Sequence, residues 1–241
     1  DIDWNVTARS DEPYIKRYQE ERELTVLLVL DTSASILFGT VERQKRDIAA
    51  ELGAVLAFSA IKNNDKVGLL LFSSEIETFI PPRKGRKHVL RLIRDLLAAA
   101  PAHTGTDMAL AVKTINRVVR RRAIVFLISD FLTDHSSYAR DLMVLGRKHD
   151  LIAIVTGDPL EEDFPPVGLI TLQDAETGER RLYDTSAPGW SREFRQQTDA
   201  ARTERERVLK DARADRILLP VDSDYVSALS AFFRRRAQRL S

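Results

Sequence analysis

The sequence contains no cysteine. That excludes disulfide scaffolds, thiolate metal centres and cysteine nucleophiles, and leaves the chain compatible with a reducing compartment, here the cytoplasm. Glycine (10) and proline (9) are sparse for 241 residues. No Pro-, Gly- or Ser-rich linker, internal repeat or low-complexity tract interrupts the pattern. Net charge is almost absent too, because 37 Lys and Arg face 36 Asp and Glu. A balanced chain carries no electrostatic footprint for nucleic acid or an anionic membrane. The longest apolar runs, such as Leu24 to Leu30, are of strand length and too short to span a bilayer. No signal peptide is visible. Neither a Gly-x-x-x-x-Gly-Lys loop nor Gly-x-Gly-x-x-Gly occurs, so the chain should bind neither ATP nor a dinucleotide. Gly-x-Ser-x-Gly is missing, and the four histidines (His88, His103, His135, His149) show no zinc-binding spacing.

What is present, at 44% hydrophobic and 30% charged residues, suits one globular domain over 1–241. Residues 1–23 read as an irregular or edge segment. Leu24 to Leu30 is a continuous β-rich apolar run, the pattern of a strand buried on both faces. Apolar residues recur at helical spacing from about Val41 to Ile61, and Val67 to Phe72 is a second strand. Glu75 to Ile80 alternates and reads as a half-exposed strand stopped by Pro81-Pro82, antiparallel to its predecessor and near a sheet edge. Helices follow at about 86–99 and 107–119, then a strand at 123–128, a helix near 136–148 and a strand at 151–155. Leu169 to Gln173 and Arg181 to Tyr183 flank a hairpin turn at Glu176 to Glu179. A long charged helix (191–214), a short strand (217–219) and a closing helix (225–239) complete the chain. This order predicts an α/β fold, a doubly wound, mostly parallel sheet with one antiparallel edge strand and helices on both faces.

In such sheets, ligands bind at the carboxyl ends of the strands, near the point where strand order reverses. After the first strand comes Asp31-Thr32-Ser33-Ala34-Ser35, and after the strand at 123–128 comes Ser129-Asp130-Phe131. Between them lies Thr104-Gly105-Thr106-Asp107. Asp31, Ser33 and Ser35 alternate, so in an extended loop they point the same way. With Thr106 and Asp130 they make an all-oxygen set suited to a hard cation, Mg²⁺ first and Mn²⁺ or Ca²⁺ as alternatives. Each element alone reads more simply as a turn or cap, with Thr106 as an N-cap. Together, at three strand-top loops, they point to metal.

The pattern Asp-x-Ser-x-Ser, then Thr in Gly-Thr-Asp, then Asp after a later strand, resembles the metal-ion-dependent adhesion site of von Willebrand factor A domains, which are Rossmann-like. Further stretches resemble a bacterial and archaeal branch of that group, the "domain of unknown function 58" family. They are Asp1 to Asn5, Ala8-Arg9, Glu21 to Thr25, Val67-Gly68-Leu69, Ile128 to Phe131 and Asp174 to Gly178. The resemblance covers essentially the whole chain, with an A-domain core at about 24–156 and a branch-specific part at about 157–241. It implies that Asp31, Ser33, Ser35, Thr106 and Asp130 hold the metal, which takes an acidic side chain of a protein partner as its last ligand. It also implies work beside a MoxR-type AAA+ ATPase, as an adaptor or chaperone-like factor. Members usually continue N-terminally of the Asp-Ile-Asp-Trp segment, so the chain is expected to be truncated there.

Two functions therefore compete. One is a non-enzymatic, metal-dependent interaction domain. The other is a metal-dependent phosphatase or phosphotransferase using Asp31 as nucleophile at the end of a central strand. Haloacid-dehalogenase-type enzymes carry a second Asp two residues later, where this chain has Ser33, so the first reading is preferred.

Overall fold

A computed structural model describes residues 23–39, 43–99 and 103–240. The expected irregular or edge segment falls almost entirely outside them.

The apolar runs become the strands of one six-stranded sheet: β1 (Thr25–Asp31), β2 (Lys66–Phe72), β3 (Ile76–Arg83), β4 (Ile124–Ser129), β5 (Asp150–Gly157) and, after an intervening hairpin, β8 (Asp215–Pro220). Their order is β3-β2-β1-β4-β5-β8. All neighbours pair in parallel except β2 and β3. The hairpin, β6 (Leu169–Gln173) and β7 (Arg180–Asp184), is a separate antiparallel pair.

Because successive strand residues point to opposite faces, the sheet builds two cores. Leu28, Leu30, Phe126, Ile128 and Ile154 face one way. They pack on α1 (Lys45–Lys62), α2 (Arg86–Leu97) and α7 (Tyr225–Leu240) through residues such as Leu52, Leu92 and Phe232. Leu27, Val29, Val125, Leu127 and Ala153 face the other way. They meet α3 (Met108–Val118), α4 (Ala139–Lys148) and α6 (Trp190–Asp211) through Val112, Leu145 and Val208. Each fully buried Leu, Ile or Val contributes roughly 1.5–3 kcal/mol by leaving water. The doubly wound sheet with helices on both faces and one antiparallel edge strand is the architecture the alternation of elements predicts. Among the described residues no helix is long and apolar enough to cross a membrane.

Pro81-Pro82 does not stop β3, which runs on to Arg83. At a sheet edge, missing N–H donors are tolerated where the ladder is irregular. A register shift between Val67 and Leu69 supplies that irregularity. Gly68 sits at the shift, where a Cβ would lie 2.8 Å from the Pro82 ring and 2.9 Å from the Ile80 carbonyl. A short element also goes beyond the expectations: α5 (Pro159–Glu162), a single turn after β5. Asp158 caps it by accepting the Leu160 N–H at 2.9 Å, while Glu161 Oε2 accepts the Asp158 N–H at 3.0 Å.

Candidate metal centre

Strand order reverses between β1 and β4: β2 and β3 lie on one side, β5 and β8 on the other. The carboxyl ends of β1 and β4 therefore border a crevice. Asp31 ends β1 and Asp130 directly follows β4. Ser129, the last residue of β4, donates its hydroxyl to Asp31 Oδ2 at 2.7 Å, and the Ser33 N–H donates to Oδ1 at 3.0 Å. Asp31 is 1% exposed, and no Lys or Arg of the described residues forms an ion pair with it. Burial, and after it the charge of Asp130, pushes its carboxyl pKa up to about 7.

The loop after β1 is not extended. Ser33 starts a short 3-10 turn, Ala34–Leu37, and its carbonyl accepts the Ile36 N–H at 3.3 Å. The turn puts Ile36 into the core at 1% exposure. The hydroxyls of Ser33 and Ser35 still meet, 3.2 Å apart. A tight turn achieves what an extended loop was expected to achieve.

The next loop is tied to this one by backbone, since the Ala34 N–H donates to the Thr104 carbonyl at 3.1 Å. Asp107, not Thr106, caps α3, accepting the Leu110 N–H at 2.8 Å. Thr106 is thus released from capping, and its hydroxyl donates to Glu176 Oε1 at 2.7 Å.

Asp130 is held differently. Its Oδ1 accepts the Leu132 N–H at 3.2 Å, and its Oδ2 accepts from the Lys45 ammonium at 2.7 Å. Lys45 is the first residue of α1 and wholly buried, and it also donates to Glu161 Oε1 at 2.6 Å. Burial works against its charge, yet Asp130 and Glu161 outweigh that and hold its pKa above the ordinary lysine value. Phe131 turns the chain away with a left-handed backbone, φ 56°, a conformation costing roughly 1–2 kcal/mol. Its N–H is anchored to Ser129 Oγ at 3.0 Å and its ring is fully buried. Beside Asp130 opens a cavity of about 780 Å³ bordered by Thr156, Glu161 and Arg205.

Asp31, Ser33 and Ser35 are thus bonded in series, Asp130 faces Asp31 across the crevice through Ser129, and Thr106 belongs to a loop pinned to the same turn. Lys45, Ser129, Glu161 and Glu176 are site residues that motif reading missed. Lys45 did leave one signal: a cation at the first position of a helix opposes the macrodipole, so something else must hold it there.

The donor set fits a hard divalent cation. Buried carboxylate charge without a counter-charge is costly, and a bound cation would supply one. Each Asp31 oxygen accepts hydrogen bonding and keeps lone-pair capacity for a metal. Among the described residues no three His, Asp or Glu side chains come together as a metal group. An ion here would take its remaining ligands from hydroxyls and water.

Comparison with known proteins agrees with the fold. The chain is 32% identical over 237 residues to Rv1480, an uncharacterized protein of Mycobacterium tuberculosis, covering 98% of this chain and 74% of the relative. Among solved structures it is similar to BatB of Bacteroides thetaiotaomicron, at 18% identity and a TM-score of 0.57, covering 90% of this chain and 100% of that one. An aerotolerance-related membrane protein of Bacteroides fragilis gives 17% identity and a TM-score of 0.57, with 86% and 96% covered. At such identity these structures speak for the fold alone. Residues 1–206 match the model of one family, and with the relative above this settles the assignment: the chain belongs to the family described as "Protein of unknown function DUF58".

Proposed function

We propose that this chain is a metal-ion-dependent protein-interaction domain. Asp31, Ser33, Ser35, Thr106 and Asp130 hold a divalent cation, Mg²⁺ first and Mn²⁺ or Ca²⁺ as alternatives, which captures an acidic side chain of a partner. The observation that carries this reading is a carboxylate, Asp31, buried at the switch point of the sheet with hydroxyls around it and no cationic side chain paired to it. Neutral hydroxyl ligands leave a cation electrophilic enough to accept a foreign carboxylate. The cavity beside Asp130 gives a partner segment room to approach. In the fuller form of the reading, the domain acts in the cytoplasm as an adaptor or chaperone-like factor for a MoxR-type AAA+ ATPase.

A non-enzymatic role is supported by the setting of Asp31. Both its oxygens are engaged and it is shut off from solvent, which suits a ligand better than a nucleophile. Capture of partners from lysate by wild type and Asp31→Ala, each in Mg²⁺ and in chelator, tests the reading. Recovery is expected only with wild type in Mg²⁺, and equal recovery in every arm would refute it. Phosphate release from model esters by the purified protein would instead favour the phosphatase alternative.

A further inference from the structure

The β6–β7 hairpin lies outside the main sheet, and most of its residues are exposed. Its tip is nevertheless built to one shape. Asp174 Oδ1 accepts the N–H groups of Glu176 and Thr177 at 2.8 and 2.9 Å. The Gly178 N–H closes onto the Asp174 carbonyl at 2.9 Å, with Gly178 at φ +72°, a backbone that favours glycine. Ala175 and Thr177 face solvent, but Glu176 between them is half-buried. Its carboxylate reaches 70 residues back along the chain to accept the Thr106 hydroxyl.

That contact brings the Glu176 carboxylate to a hydroxyl of the Thr106 loop, although among the described residues it does not group with Asp31 and Asp130. No ion pair to Glu176 is formed among the described residues. A hairpin tip fixed to one shape thus holds a carboxylate on a hydroxyl of the proposed metal set, where a cation at the Thr106 loop would supply its counter-charge. We propose that Glu176 is an internal ligand of this site, occupying the metal position that a partner's acidic side chain would take. The inference rests on the metal-dependent reading above and adds a regulator to it. The hairpin keeps the loaded domain closed, and a partner binds by displacing Glu176. An intramolecular carboxylate acts at a millimolar-range effective concentration. A single foreign carboxylate in dilute solution therefore competes poorly, and a successful partner must add contacts elsewhere.

Mn²⁺ alone is a sufficient probe, titrated into the full chain while free ion is followed by electron paramagnetic resonance and bound ion by water-proton relaxation. Wild type, Glu176→Gln, Glu176→Ala and Asp31→Ala are compared. Wild type is expected to bind Mn²⁺ with modest relaxation enhancement. Both Glu176 variants should bind it on the order of tenfold more weakly and show greater enhancement per bound ion, because exchangeable water replaces the carboxylate. Matching metal-free thermal melts will show that these tip substitutions leave the fold intact. Unchanged enhancement per bound ion in both Glu176 variants overturns the internal-ligand proposal and leaves the metal site standing. Failure of wild type to take up Mn²⁺, or equal uptake by Asp31→Ala, removes the metal reading and the internal ligand with it.

Discussion

Ser129 and Asp31 end neighbouring strands, and the 2.7 Å hydrogen bond from the serine hydroxyl to Asp31 Oδ2 joins β4 to β1 across the reversal point of the sheet. The same oxygen of Ser129 accepts the Phe131 N–H, so one hydroxyl orients the Asp31 carboxyl and fixes the strained turn beyond Asp130.

Ser129→Ala should therefore weaken metal binding without removing any residue of the metal set. Loss of an orienting partner of this kind typically costs 10- to 100-fold in affinity, and about tenfold is expected here. The bond also favours the ionised form of Asp31, so the pH midpoint of Mg²⁺ binding should move upward in the variant. Calorimetric titrations across pH check both effects. An unchanged midpoint and affinity would show that Ser129 merely packs.

A second prediction concerns stability in the absence of metal. The Asp31 carboxyl, at about 7 against an ordinary 3.8, keeps a proton in the folded chain that the unfolded chain has lost. Between those values the unfolded state binds fewer protons, so folding stability falls as pH rises from about 4 to about 7 and then levels off. The stabilising contribution is complete below the unfolded value and gone above the folded one, a difference on the order of a few kcal/mol. Asp31→Asn should abolish this part of the slope, and Mg²⁺, which binds the ionised carboxylate, should offset the loss above neutrality. Urea denaturation of both proteins across the range isolates the Asp31 contribution, and parallel curves would count against it.

The third prediction is for Lys45. Lys45→Met strips the cation from two carboxylates, of which Asp130 is buried and Glu161 half-buried. Breaking such a buried pair from one side costs roughly 3–5 kcal/mol. Adding Glu161→Gln should recover part of that, because less uncompensated charge remains. Denaturation midpoints of the single and double variants decide it, and simple additivity of two losses would contradict the network.

Most of the fold is legible because its central strands are unbroken apolar runs, and a β1 reading TVLLVLD allows little else. The hairpin was legible from its Glu-Thr-Gly turn. The Pro81-Pro82 pair misled because the tolerance of an edge strand depends on the partner strand, here on a register shift opposite Gly68. The turn at Ala34–Leu37 was hidden because spacing of Asp31, Ser33 and Ser35 is compatible with either backbone, and only the demand of Ile36 for burial chooses. Lys45 and Glu161 lie 116 residues apart, and no local pattern encodes a pair formed only when α1 and α5 arrive at the same strand tops. Glu176 reads in the sequence as part of a turn, and its contact with Thr106 forms only when the hairpin folds back beside that loop.

The two prolines of β3 have a counterpart on the opposite rim, where β8 ends at Pro220. The outer amide row of β3 is therefore interrupted and that of β8 is cut off at its last residue, which shortens the ladder a neighbouring strand could join. Growth of the sheet from one molecule into the next is discouraged at both margins.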